Sequence, residues 1–184
     1  MFNFSILKII DEAILPAFLV VGAKIGGVLI VTKLFALDFT LTQSSFFSIP
    51  LIGYSSSDSL TVVNTVSSIL TTMMVMLGLG WVLIKAHHFH ASHIHPKLAT
   101  KLAQNGLENL IQDSFEIYHQ ALVWLSLLWF TFFLSVTQFY YGVLAAWAVI
   151  AILAFGLILS LIFILDVKKE IDLGELASED LGKV

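Results

Sequence analysis

Four stretches of this chain stay apolar for roughly 20 residues or more, the length a helix needs to cross a bilayer. Hydrocarbon holds no water to satisfy exposed N–H and C=O groups, so each such stretch must close its backbone hydrogen bonds within itself. The stretches cover residues 13–37, 60–84, 118–140 and 142–165, and they predict an all-α, integral membrane four-helix bundle. The chain is 58% hydrophobic and 12% charged, whereas a soluble domain runs near 45–50% and about 25%. Lipid is therefore the expected solvent, and too little chain remains outside the spans for a second folded domain. We expect a single multi-pass domain.

The placement of positive charge orients those spans. All nine positive residues are Lys, and seven of them (Lys8, Lys85, Lys97, Lys101, Lys168, Lys169 and Lys183) fall on one side when each stretch is threaded as a crossing. The segment 38–59 and the turn near Tyr140 contain no Lys or Arg, and Lys33 closes the first span. By the positive-inside rule this predicts a cell-membrane protein with both termini and the loop 85–117 in the cytoplasm. A Lys ahead of an apolar run also opens secretory signals. Asp11 and Glu12 interrupt this one, its apolar run is too long, and no small-x-small site closes it, so a retained signal anchor is expected.

Outside the spans, residues 1–10 are rich in Phe, Ile and Leu, as a segment lying in the inner interface would be. Asp11 and Glu12 then favour a helix start, with Pro16 in its first turns. The outer segment 38–59 carries Pro50 within an apolar run and predicts a loop dipping into the outer interface rather than a fifth crossing. After Pro96, Leu98, Leu102, Leu107, Leu110, Ile111, Phe115 and Tyr118 keep a helical period among polar neighbours. That pattern predicts a cytoplasmic amphipathic helix between spans two and three, with a break at Gly106. Residues 166–184 read as a flexible acidic tail, a short helix that frays.

Two features could carry chemistry. The first is the run His87-His88-Phe89-His90-Ala91-Ser92-His93-Ile94-His95. Neutral imidazole suits zinc, copper or nickel, and the spacings His87/His90 and His90/His93 put rings on one side of a helix that extends span two. His87, His90, His93 and His95 are the candidate metal ligands, against an interfacial or a pH-sensing role for the same imidazoles. Glu116 and His119, at i and i+3 of one helix, could complete such a site or serve an interfacial enzyme.

The second feature is Lys24, a charge near the middle of span one, where insertion costs roughly 2.5–3.5 kcal/mol unless the ammonium reaches a partner or water. Either it snorkels or it faces inward; no Asp or Glu lies near the centre of another span, which leaves Asn64, the span-two hydroxyls, or a second protein as partners. Gly22, Ala23, Gly26 and Gly27 flank it at the spacing that lets helices touch backbone to backbone. Lys24, Gly22, Gly26 and Asn64 are thus the candidate assembly or intramembrane polar site. Thr61, Thr65, Ser68 and Thr72 add a hydroxyl stripe to span two, fit for interhelical bonding or for lining a polar path.

Other chemistries are excluded. With no Cys there is no disulfide, thiolate metal site or Cys nucleophile, and with no Arg a bidentate anion clamp is disfavoured. A net charge of −4 gives no reason for a nucleic-acid partner. Phosphate loops, nucleophile elbows and dinucleotide fingerprints are missing. The resulting expectation is a non-enzymatic subunit or assembly partner of a membrane complex, as a homo-oligomer or with other membrane subunits. A small transporter or metal-handling protein using the His run is the competing class.

Overall fold

The computed structural model describes residues 6–43, 50–90, 94–107 and 110–181. Five helices dominate them: α1 (Ile6–Leu34), α2 (Ser57–His88), α3 (Pro96–Gln104), α4 (Ser114–Tyr140) and α5 (Ala146–Leu181). Four are long and apolar enough to cross a membrane, over Glu12–Leu34, Ser57–His88, Glu116–Tyr140 and Ala146–Asp172. Large apolar side chains such as Leu15, Phe18, Ile150 and Leu161 are exposed along them, which suits lipid and not water.

Local chemistry sets the helix ends. Ser56 caps α2 by accepting the Ser59 N–H at 3.1 Å, and Asp113 caps α4 by accepting the Glu116 N–H at 2.8 Å. Gly106 and Gly142 take left-handed φ values of 67° and 70°, which stop α3 and α4. Beyond each glycine the chain folds back: Leu107 N–H reaches the Leu102 carbonyl and Val143 N–H reaches that of Gln138. Ala36 performs the same closure after α1 at φ 48°, with Leu37 N–H on the Thr32 carbonyl at 3.0 Å.

Several boundaries differ from the sequence expectation. α1 already begins at Ile6, so Pro16 lies inside the helix and not in its first turns. Its missing N–H costs one hydrogen bond there. The fourth spanning helix, α5, starts at Ala146 because Gly142 ends α4 and three residues make the turn. The helix expected to be short in the acidic tail runs on to Leu181, over a Pro-free stretch in which Leu, Lys, Glu and Ala outweigh Gly174 and Ser178.

The amphipathic segment after Pro96 divides at Gly106, and residues 110–113 are not α-helical. Segment 38–59, expected as a loop and not a crossing, contains an antiparallel hairpin of β1 (Phe39–Gln43) and β2 (Pro50–Tyr54), paired from Phe39↔Tyr54 to Gln43↔Pro50. Phe, Thr, Ile and Tyr suit a pleated surface, and Pro50 sits where the ladder ends. The Tyr54 hydroxyl and Thr32 Oγ1, 2.7 Å apart, tie β2 to α1.

The core is built on α2. Val75, Leu79, Val82 and Ala86 recur at three and four residues, and so do Ile117, Ala121, Trp124 and Leu128 on α4, so each set makes one helix face. These faces meet, with Val20 of α1 joining them. Gly78 admits the indole of Trp124, whose ring carbons would lie 2.5 Å from any added Cβ, whereas a Cβ on Gly80 would meet nothing. Gly78→Ala should therefore lower stability in a detergent melt by about 1–3 kcal/mol through overpacking. Gly80→Ala should leave it unchanged or slightly raised, and an undisturbed Gly78→Ala melt would mean that α2 and α4 do not meet at this point.

Candidate functional site

Lys24 faces inward. Its ammonium donates to Ser67 Oγ at 2.8 Å and Ser68 Oγ at 2.9 Å, with the Asn64 carbonyl at a weak 3.5 Å. Ser68 Oγ in turn donates to Gln138 Oε1 of α4 at 3.1 Å. The polar chain thus crosses from α1 through α2 to α4. Two bonds to a charged group contribute about 1.5–3 kcal/mol each, enough to offset the insertion cost of the charge. The oxygens are neutral, and no carboxylate among the described residues pairs with Lys24.

Close helix approach makes this reach possible. A Cβ on Gly27 would lie 3.1 Å from Ser67 Cα and Cβ, so Gly27 brings the α1 backbone against α2 one turn from Lys24. Gly22 and Gly26, by contrast, have open space above them. Each is two residues from Lys24, which places both about 160° around the helix from it. The residues grouped by sequence therefore divide: Lys24 and the Asn64 carbonyl join, while Gly22 and Gly26 lie on the opposite face of α1.

The hydroxyl stripe has a mixed fate. Thr61, Thr71 and Thr72 return their hydroxyls to carbonyls four residues back on α2. Thr65 Oγ1 accepts the Ala145 N–H at 3.1 Å and so holds the α4–α5 turn. Since Ser68 is one turn further along α2, the Lys24 contacts lie within about 5 Å of that turn along the helix axis.

A cleft of about 210 Å³ opens beside Lys24 between α1, α2 and α4. Val20, Val21, Ile25, Phe130 and Leu134 supply its apolar lining, and Lys24, Ser68 and Gln138 are among its polar lining residues.

At the other end of the helices, two His–carboxylate contacts join elements that the sequence keeps far apart. Glu12 Oε2 of α1 lies 2.5 Å from His119 Nδ1 of α4, and His90 Nε2 lies 3.5 Å from Glu170 Oε1 of α5. Both imidazoles are buried. Tyr118 OH donates to Asp166 Oδ2 at 3.4 Å on the same level.

The candidate metal ligands take separate places. α2 ends at His88 with Phe89 as its cap, so His87 and His90 lose the helical i, i+3 relation that would have aligned them. His87 is exposed, and its ring meets that of His88 edge to face. His90 is buried against Glu170 and pairs through its backbone with Gln112. His95 Nδ1 accepts the Lys97 N–H at 3.3 Å and caps α3. His93 lies outside the described residues. Among the described residues no three His, Asp or Glu come together as a metal site would require. Glu116 and His119 share a helix, but the imidazole turns to Glu12.

Sequence reasoning missed Ser67, Gln138, Glu12 and Glu170. Three signals were present. Ser67 follows Asn64 by three residues, Gln138 is an amide set among the apolar and aromatic residues that close the third span, and the threading places Glu12 and His119 at the same membrane level. No protein-family profile matches the chain, and no curated protein or solved structure is similar to it.

Proposed function

We propose that this chain is a non-enzymatic subunit of a membrane complex, a four-helix bundle that docks another membrane helix on the Gly22/Gly26 face of α1. The observation that carries the reading is the open space above both glycines, on a helix whose neighbouring Gly27 already demonstrates close backbone approach on its other side. Small residues at four-residue spacing are what membrane helices use to pack tightly, since lipid gives apolar side chains no incentive to associate. The polar groups of the spans support the same reading: Lys24, Ser68, Thr65 and Gln138 are engaged in holding α1, α2, α4 and the α4–α5 turn to one another.

The Lys distribution supports an orientation in the cell membrane with both termini and the α2–α4 segment in the cytoplasm. The β1–β2 hairpin then faces outside, and the His–carboxylate contacts lie at the cytoplasmic ends of the helices. A reporter fused after Val184 should be cytoplasmic and one inserted near Ser57 external; the opposite labelling overturns the orientation.

Native mass in gentle detergent tests assembly. The parent should exceed its single-chain 20.3 kDa, and Gly26→Leu, which fills the open face, should reduce the complex. Val21→Trp, on a half-exposed residue away from that face that makes no hydrogen bond, should leave the mass unchanged. A parent of single-chain mass, or a Gly26→Leu complex of parental size, would remove this surface as the contact.

A further inference from the structure

The cleft beside Lys24 holds polar donors that the fold does not use. Of the three ammonium protons, two go to Ser67 and Ser68, and the third faces only the Asn64 carbonyl at 3.5 Å, beyond the range of a good N–H···O bond. Gln138 accepts from Ser68 through Oε1, while its amide nitrogen donates to nothing among the described residues. One cationic and one neutral donor therefore border the same cleft, and no carboxylate among the described residues answers the charge. A carboxylate has two oxygens and accepts from both. It would also supply the missing negative charge, where low dielectric makes the pairing worth most.

The rest of the cleft specifies what that carboxylate is attached to. Val21, Ile25, Phe130 and Leu134 line it and are each about half exposed on the lipid-facing surface. At a water-sized share of about 30 Å³ per group, 210 Å³ accommodates about seven groups. That is a carboxyl head and the first methylenes of a chain, whose remainder would run out among the lipid tails. A transmembrane helix about 10 Å across is too wide to enter.

We propose that the Lys24 cleft is a binding site for a long-chain fatty acid, with its carboxylate bridging Lys24 Nζ and Gln138 Nε2 and its chain against Val21, Ile25, Phe130 and Leu134. The site lies on the opposite side of α1 from the Gly22/Gly26 face and stands whether or not that face docks a partner.

Radiolabelled palmitate binding to the full chain in phosphatidylcholine nanodiscs tests it. The expected result is saturable binding near one palmitate per chain, with hexadecanol, which keeps the tail and lacks the charge, competing at least tenfold less well. Lys24→Gln should weaken palmitate binding tenfold or more. Val21→Trp changes a half-exposed wall residue that carries no hydrogen bond, so it should fold as the parent while blocking the cleft and abolishing binding. Absence of saturable binding, parental affinity in Val21→Trp, equal competition by hexadecanol, or displacement of palmitate by phosphatidylglycerol at lower concentration would each overturn the proposal, the last by assigning the cleft to a phosphate headgroup. Should Lys24→Gln fail to fold, Gln138→Leu takes its place, and unaltered affinity in that variant also refutes the bridge.

Discussion

An ammonium group in the middle of an apolar helix must be met by oxygen, and meeting it determines how the first three spans pack. Lys24 can reach Ser67 and Ser68 only if α1 and α2 run nearly backbone to backbone, which Gly27 permits against Ser67. Ser68, fixed by Lys24, then holds Gln138 of α4. Thr65, one turn away, holds the backbone of the α4–α5 turn. Hydrophobic burial between helices contributes little in lipid, so directed polar contacts and close van der Waals packing specify the arrangement.

The two ends of the helices are held by different chemistry. Near the hairpin the ties are hydroxyls, an amide and one Lys, all at short range around α2. At the other end they are His–carboxylate contacts that bridge distant parts of the chain, Glu12 to His119 and His90 to Glu170. Between them lies an apolar core of α2 and α4, with Trp124 seated on Gly78. The α1 surface is left with two unlike faces: a cleft with a charged group, and an open pair of glycines.

How much of this was legible in the sequence follows from the range of each interaction. Spans and their number depend on local hydropathy, and four helices of sufficient length and apolarity are found where the runs lie. The expense of Lys24 was equally legible, because it is a property of one residue in one solvent. Its partners were only half so: the absence of a mid-span acid pointed to span-two oxygens, but Ser67 and Gln138 become neighbours only through packing. The hairpin was missed because Pro50 in a short apolar run reads as a breaker, although the end of a two-stranded ladder tolerates it. For the His run, the spacing of His87 and His90 presumed a helix that stops at His88, because helix length past a span is set by packing and capping and not by the spacing of the imidazoles.

All of this requires that α1 meet α2 along the Gly27/Ser67 line, with Lys24 turned toward that seam and Gly22 away from it. The chain has no native Cys, so paired cysteines report on it without background. A Cβ at position 27 would stand 3.1 Å from that of Ser67, near the roughly 3.5–4.5 Å of a disulfide. In membranes under mild oxidation, Gly27→Cys with Ser67→Cys should form an intrachain disulfide, and Gly22→Cys with Ser67→Cys should not. Failure of the first pair to cross-link, or cross-linking of both pairs alike, would contradict the packing on which the cleft and the open glycine face both depend.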